Sequence, residues 1–322
     1  MRILVTGGTG FIGSRLVRSL VERGQDEIFS GRRDLSTHDP RRVGAHFLQG
    51  DLNDSHFVED ITRAKDIIVH CAGLASAWGS WQSFYRANVM TTQLLLEKAR
   101  AQGVQRFINL SSPSLYFSYR HQINLNENDI PQKFSNAYAR SKYEAEQLVQ
   151  SYHAEEFLTV SLRPRAVIGA GDENIMPRLL RLREKGTLFQ IGDGGNVIDV
   201  TTVGNLSDAI FLCLSAPKAA MGGSYNITNG EPILFWDFVD QVLNQAGLAL
   251  KKRHLPYLPV MTAAVLVELY SRLSGQKEEP ALLPISVGIT TFSMTLDITR
   301  AREKLGYSPK YSTQDGIREF FA

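Results

Sequence analysis

The sequence predicts an α/β protein built on a doubly wound parallel sheet with a smaller C-terminal lobe, and three observations predict it. Short apolar runs of strand length alternate with helical stretches over the first half of the chain. A glycine-rich turn joins the first strand directly to the first helix. The 322 residues are 43% hydrophobic and 21% charged, enough apolar material for the extended core that such a sheet requires.

The elements follow in order. RILVT at residues 2–6 is a short apolar run, and Phe11, Ile12, Leu16, Val17, Leu20 and Val21 recur at helical spacing. EIFS from Glu27 predicts a second strand ending near Ser30, AHFLQ from Ala45 a third, and DIIVHC from Asp66 a fourth. RFINLS from Arg106 and LTVSLRP from Leu158 continue the series, with residues 80–102 and 136–154 as long helices between. After Pro164 the pattern loosens into glycine-rich turns (GAGD, GDGG), a helix over 205–215, another over 236–246, and an apolar one from Leu258. The expected division is therefore a sheet domain over 1–165 and a lobe over 166–322, some segments of which return to the sheet.

A net charge of +2 without any run of like charges sets nucleic-acid binding aside. Cys71 and Cys213 cannot make a disulfide framework, and their apolar surroundings read as buried thiols in a reducing cytoplasm. Met1 leads straight into a strand with no signal-peptide pattern, which agrees with a cytoplasmic location. LPVMTAAVLVELYSRLSG, from Leu258, is interrupted by Glu268 and is short of the roughly 20 apolar residues a membrane span needs. Peripheral contact with a membrane or a partner is the most it is expected to make. No bound metal is expected.

TGGTGFIG places Gly7, Gly10 and Gly13 between strand and helix. One glycine allows the tight turn, one lets the backbone approach a pyrophosphate, and one lets the helix pack closely with its N-terminus facing the anion. The tip of the second strand should then face the adenosine ribose. A carboxylate there suits the 2′-hydroxyl of NAD and repels the 2′-phosphate of NADP. IFSGRRD offers Gly31, Arg32 and Arg33 instead, so NADP(H) is favoured; Asp34 or Glu27 supplies the carboxylate for NAD(H) if the strand ends elsewhere. Asp51 in GDLND, after the third strand, and HCAG, after the fourth, fall where strand ends edge a ligand crevice.

YARSK sets Tyr138 and Lys142 four apart on one face of a helix. At about 5 Å and an effective dielectric near 20, an ammonium favours a phenolate by about 3 kcal/mol, or roughly two pKa units. The phenol is thus expected to move down from about 10 toward neutrality and to exchange a proton with a carbonyl oxygen. The same spacing is common on helix surfaces, so the pair draws its weight from LSSPSLY. That segment puts Ser111, Ser112 and Ser114 at the sheet's C-terminal edge, where a hydroxyl can hydrogen-bond the reacting oxygen. No G-x-S-x-G elbow surrounds these serines, which argues against a nucleophilic role.

TGGTGFIG, GDLND, HCAG, ANV at Ala87, LSSPSLY and YARSK, in this order, resemble the extended short-chain dehydrogenase/reductase superfamily over essentially the whole chain. The resemblance implies a Rossmann-type sheet domain with a C-terminal substrate-binding lobe. It implies Ser112, Tyr138 and Lys142 as the catalytic set, Ser112 being chosen because the family serine lies four residues before a tyrosine, here Tyr116. Asn88 matches the asparagine that braces the active-site helix, and Pro164 and Val167 match residues bordering the nicotinamide. The other implied cofactor contacts are Gly7, Thr9, Gly10, Phe11, Ile12 and Gly13 of the turn. Arg32, Arg33, Asp51 and Leu52 would follow at the adenosine side, and Cys71, Ala72 and Gly73 after the fourth strand.

The C-terminal half, with LPYLPVMTAAVLVELYSRLSG and LDITRAREKLGYSPKYSTQDGI, resembles the 3β-hydroxysteroid dehydrogenase group, which includes sterol 4-carboxylate dehydrogenases and bacterial 2-alkyl-3-oxoalkanoate reductases. Trp78, Trp81 and Tyr85, with Ser114, then line an apolar substrate pocket; the alternative is that the aromatics pack their helix onto the sheet. Sugar dehydratases of the superfamily carry Thr-Asp-Glu after the paired serines, whereas this chain has Pro113, Ser114 and Leu115, so dehydration is disfavoured. The expected function is NADP(H)-dependent interconversion of a 3-oxo and a 3-hydroxy group on a small apolar substrate, a long-chain oxoacid or a sterol-like ring, in the reductive direction. A nucleotide-sugar 4-epimerase with retained cofactor is the alternative, followed by a non-catalytic NADPH sensor. Homodimerisation through the helices at 80–102 and 136–154 is implied by the resemblance alone.

Overall fold

The computed structural model describes residues 1–24, 27–32, 39–250 and 254–322, without the side chains of residues 27 and 30–32. The chain begins with β1 (Arg2–Thr6), α1 (Phe11–Glu22), β2 (Glu27–Arg32), β3 (His46–Gln49), α2 (Ser55–Thr62) and β4 (Ile67–His70). Next come α3 (Trp81–Phe84), a π-turn over Tyr85–Met90, α4 (Thr91–Ala101), β5 (Arg106–Leu110), β6 (Gln122–Leu125), α5 (Ala137–Ser151) and β7 (Leu158–Pro164). The second half holds β8 (Val167–Ile168), α6 (Ile175–Glu184), β9 (Gln190–Ile191), β10 (Val197–Ile198), β11 (Thr201–Thr202), α7 (Val203–Ser215) and β12 (Ser224–Ile227). It ends with β13 (Ile233–Leu234), α8 (Phe235–Gln245), β14 (His254–Leu255), α9 (Tyr257–Leu273), α10 (Pro284–Thr291), β15 (Met294–Leu296), α11 (Thr299–Leu305) and α12 (Thr313–Phe321).

Seven parallel strands form the central sheet in the order β3-β2-β1-β4-β5-β7-β12, so the doubly wound α/β architecture expected from the strand–helix alternation is the one observed. Successive residues of each strand point to opposite sides, and both faces are buried because helices cover each of them. Ile3 and Val5 of β1 pack with Leu16, Val17 and Leu20 of α1 and with Leu206, Ile210 and Cys213 of α7. Leu4, between them in sequence, packs on the other side with Val58 of α2, Leu95 and Leu96 of α4 and Val149 of α5. The seventh strand, β12, arrives from far along the chain and pairs with β7 from Ser224↔Ser161 to Ile227↔Pro164.

A second sheet runs in the order β13-β10-β15-β6, its edge strand β6 coming from the chain between β5 and α5. Its apolar fill comes from Leu115, Tyr116 and Phe117 of the segment after β5 and from Leu283, Ile285, Met294 and Leu296. No helix among the described residues is long and apolar enough to cross a membrane.

Three local readings need correction. Strand β2 runs to Arg32, two residues past the expected end, because Gly31 and Arg32 still pair with Leu48 and Gln49. The single helix expected over 80–102 contains a π-turn at Tyr85–Met90, where Thr91 and Thr92 donate to the carbonyls of Ala87 and Asn88 at 2.7 and 2.6 Å. Cys213 is buried, but Cys71 is only half-buried, since it lies just past β4 at the sheet edge.

Candidate active site

The turn after β1 closes without room for side chains. Gly7 has φ +68°, and a Cβ there would come within 2.9 Å of the Ala72 backbone; one on Gly13 would come within 2.3 Å of the Gly7 carbonyl. β1, the first turn of α1 and the chain leaving β4 therefore meet backbone to backbone. Gly10 is the N-cap of α1 and supplies no side-chain cap, so no side chain competes for the N–H groups of the first turn, which holds Phe11, Ile12 and Gly13. Thr9 is buried beneath. This is a cradle that fits a pyrophosphate.

Asp51 and Leu52 lie in the turn after β3, where the Asp51 carboxylate accepts from the Asn53 backbone N–H at 2.9 Å. Arg32 ends β2, and Arg33 lies outside the described residues. Asn53 in turn accepts from Arg86, at the start of the π-turn, at 3.3 Å.

The π-turn carries Asn88 into the interior, where it is 2% exposed. Its Oδ1 accepts from Leu74 N–H at 2.7 Å, and its Nδ2 donates to the Leu74 carbonyl at 3.1 Å and to Ser141 Oγ at 2.9 Å. One side chain thus ties the loop after β4 to α5. Gly73 sits between, and a Cβ there would lie 3.0 Å from Asn88 Oδ1 and 3.9 Å from Lys142 Nζ.

Asn136 precedes α5 as its N-cap, its side chain accepting from Ala139 N–H at 2.8 Å, and the helix presents Tyr138 and Lys142 toward the end of β5. Ser112 lies two residues past the end of β5; its Oγ donates to Ser114 Oγ at 2.9 Å, accepts from Ser114 N–H at 3.2 Å, and interacts with the Tyr138 phenol. Burial raises the phenol above its ordinary value of 10, and the Ser112 hydroxyl only partly opposes this. The downward pull expected from Lys142 is absent, because the ammonium donates to the Leu110 carbonyl instead. Burial brings Lys142 itself down to about 8, against the opposing charge of Glu146. At neutral pH the pair is therefore a phenol beside a largely protonated amine, an arrangement able to donate a proton to an oxygen held at Ser112.

Beneath them runs a directed hydrogen-bond chain. Thr92 Oγ1 donates to Asn88 O, so it accepts from His70 Nε2 (3.1 Å), and His70 Nδ1 accepts from Thr6 Oγ1 (2.7 Å). Burial and the nearby Lys142 charge push His70 down to about 3, leaving it neutral. Pro164 ends β7 and Val167 begins β8; between them Ala166 adopts φ +43°.

The aromatic trio separates. Trp78 donates from Nε1 to the Gln276 carbonyl at 3.2 Å, under the Arg272 guanidinium of α9. Trp81 and Tyr85 instead pair with each other at 5.5 Å, with Arg140 over Trp81, and Tyr85 is exposed. The sequence singles out neither His70 and Glu146 nor Arg165 and Asp199 beyond β7. Their positions are set by strand ends, and only the Tyr138, Lys142, Glu146 spacing on α5 signalled one of them.

The sequence model of the 3-beta hydroxysteroid dehydrogenase/isomerase family matches residues 4–258. The 2-alkyl-3-oxoalkanoate reductase of Stenotrophomonas maltophilia is 33% identical over 330 residues, covering 100% of this chain and 99% of that protein. The sterol-4-alpha-carboxylate 3-dehydrogenase, decarboxylating, of Mus musculus is 29% identical over 324 residues, covering 97% and 88%. Among solved structures, the UDP-glucuronic acid 4-epimerase from Bacillus cereus in complex with NAD aligns with a TM-score of 0.76 over 100% of this chain and 97% of that one. At 22% identity this is a likeness of fold. With sequence and fold in agreement, the chain belongs to the 3-beta hydroxysteroid dehydrogenase/isomerase family, within the extended short-chain dehydrogenases/reductases, and is an NAD(P)-dependent dehydrogenase/reductase acting on hydroxyl and keto groups.

Proposed function

We propose that this enzyme reduces the 3-oxo group of an apolar substrate, a long-chain 2-alkyl-3-oxoacid or a sterol-like ring, to the 3-hydroxy group. The observation that carries the proposal is Tyr138, protonated beside Ser112 at the end of β5, with Lys142 one helical turn on. When bound, a nicotinamide supplies or accepts the hydride. The chain's own residues do the rest. Ser112 hydrogen-bonds the substrate oxygen, Tyr138 transfers the proton to it, and the Lys142 ammonium would hold the nicotinamide ribose. Asn88 holds α5, which carries Tyr138 and Lys142, against the loop after β4.

The glycine cradle would hold the pyrophosphate, with Pro164 and Val167 flanking the nicotinamide. Arg32, following Gly31 at the tip of β2, supports NADP(H) over NAD(H). Trp78, packed against the buried apolar cluster formed by residues after β5 and before β15, would face the substrate. The π-turn, which carries the exposed Tyr85 and Met90, would form a homodimer interface together with its flanking helices and α5. Helix α9, with Leu258, Leu266 and Leu273 exposed, would touch a membrane surface from a cytoplasmic enzyme.

The names of two relatives add a chemical constraint. A 2-alkyl-3-oxoalkanoate and a sterol-4-alpha-carboxylate oxidised at carbon 3 both carry a carboxylate on the carbon next to the reacting one. Stoichiometric oxidation of NADPH, and slower oxidation of NADH, should follow addition of a 3-oxo acid or 3-oxosteroid. Cofactor retained through purification and interconversion of UDP-sugars without net NADPH loss would favour epimerisation instead.

A further inference from the structure

Arg163 and Arg165 stand two residues apart where β7 leaves the sheet, and their surroundings differ. Arg163 is saturated: it pairs with both Glu146 oxygens and donates to Tyr116 Oη and the Glu127 carbonyl. Arg165 is not. Its Nε is buried with no hydrogen-bond partner, and no ion pair among the described residues reaches it. The counter-charge acting on it is Asp199, whose own Oδ2 accepts from Leu296 N–H at 2.6 Å.

The backbone around Arg165 is held firmly. Its N–H donates to the Ile227 carbonyl at 3.1 Å, its carbonyl accepts from Thr201 Oγ1 at 2.6 Å, and the next residue, Ala166, sits at φ +43°. A non-glycine residue held there indicates that the local chain path is over-determined by its surroundings. Burial lowers the guanidinium to about 10 and raises the Asp199 carboxyl to about 6, so the pair only partly compensates its own desolvation.

The register places the Arg165 backbone one strand over from Ser112, one residue further along the chain. Leu110 of β5 pairs with Leu162 of β7, and Ser111 N–H donates to the Leu162 carbonyl at 2.8 Å. Ser112 and Arg165 therefore leave the C-terminal ends of neighbouring strands, roughly 5 Å apart laterally. A guanidinium offers five donors in a planar fork suited to a carboxylate. We propose that Arg165 binds the carboxylate carried next to the reacting carbonyl, so that the enzyme selects 3-oxo acids over neutral ketones. The inference rests on the substrate reading above, and it assigns a residue to the carboxylate that the two relatives' substrates share.

The test is Arg165→Gln, with Arg165→Lys beside it to keep the charge while losing the fork. A freshly prepared 3-oxo acid and its methyl ester are compared, with cofactor affinity and thermal midpoint as controls for folding. The acid-over-ester ratio of kcat/KM should fall about ten- to a hundredfold in Arg165→Gln and less in Arg165→Lys. An equal loss on both substrates, or an unchanged ratio, would overturn the assignment. Binding of dodecanoate and dodecanol reads the same contact without turnover: the wild type should prefer the acid and Arg165→Gln should not. If the wild type turned over neither acid nor ester yet showed that preference, the reaction proposed above would fail while the anion site stood. Absence of any preference in the wild type would sink the anion site itself.

Discussion

Replacing Gly13 by Ala tests whether the turn after β1 is a cofactor cradle or an ordinary tight bend. A Cβ on Gly13 would stand 2.3 Å from the Gly7 carbonyl oxygen and 2.8 Å from its carbon, where real contacts do not fall below 3.0 Å. The neighbour is backbone, so it cannot rotate away. α1 must recede from the turn by about 0.7 Å, the difference between the 3.0 and 2.3 Å separations. Overpacking of this kind costs about 1 to 3 kcal/mol of stability. Moving the helix N-terminus also weakens its hydrogen bonds to an anion, each worth about 1.5 to 3 kcal/mol. Loss of two of them predicts an affinity for NADPH weaker by roughly a hundredfold to ten-thousandfold.

Gly10→Ala is the control. Gly10 has φ −84°, and its Cβ would meet only the Gly7 carbonyl, at 3.4 Å. That variant should melt close to the wild type and lose affinity only because its methyl faces the ligand. Fluorescence titration with NADPH and differential scanning fluorimetry without it separate the two effects. A Gly13→Ala protein with an unchanged melting point and an affinity within threefold of wild type would refute the close-packing argument.

Three further outcomes follow. Tyr138→Phe should lower turnover at least about a thousandfold while leaving cofactor affinity within a few fold, since it removes the transferable proton and little else; retained hydride transfer would remove Tyr138 from its role. His70 is held near 3 when folded against 6.5 when unfolded, so the unfolded chain binds the extra proton between those values. Its contribution is intact above pH 6.5 and is lost as pH falls toward 3, by about 1.4 kcal/mol per unit. His70→Gln should flatten the acid limb of stability measured by urea unfolding, and an unchanged slope would count against the buried neutral imidazole. Arg163→Met leaves Glu146 buried without its partner, which should cost about 3 to 5 kcal/mol and lower the melting temperature by about 4 to 7 °C. Near-wild-type melting would mean that the network contributes no net stability.

The sequence made the site's chemistry easier to read than its wiring. Gly7, Gly10 and Gly13 are legible because backbone close approach leaves glycine as the permitted residue, and Tyr138 with Lys142 because helical spacing fixes a shared face. The π-turn is harder to see, since it adds a residue to a helix whose apolar period survives on both sides. Thr91 and Thr92, four residues after Ala87 and Asn88, were its available sign. β6, β12 and β15 are not legible because they are short and, unlike the equally short β3 and β4, lie outside the regular strand–helix alternation of the first half. The Lys142 effect on Tyr138 was misjudged because spacing along a helix sets which groups are near, and not which carbonyl a long side chain chooses.

The pairing of β12 with β7 bears on how the protein is made. Between the last residue of β7 and the first of β12 lie some sixty residues, the span from Pro164 to Ser224. During synthesis from the N-terminus, six strands of the sheet can assemble while the β7 edge still lacks its neighbour. Such an edge is a template for pairing with another nascent chain. The ribosome-bound intermediate is thus exposed to misassembly until Ile227 emerges, and a fragment ending near residue 165 would keep that open edge permanently.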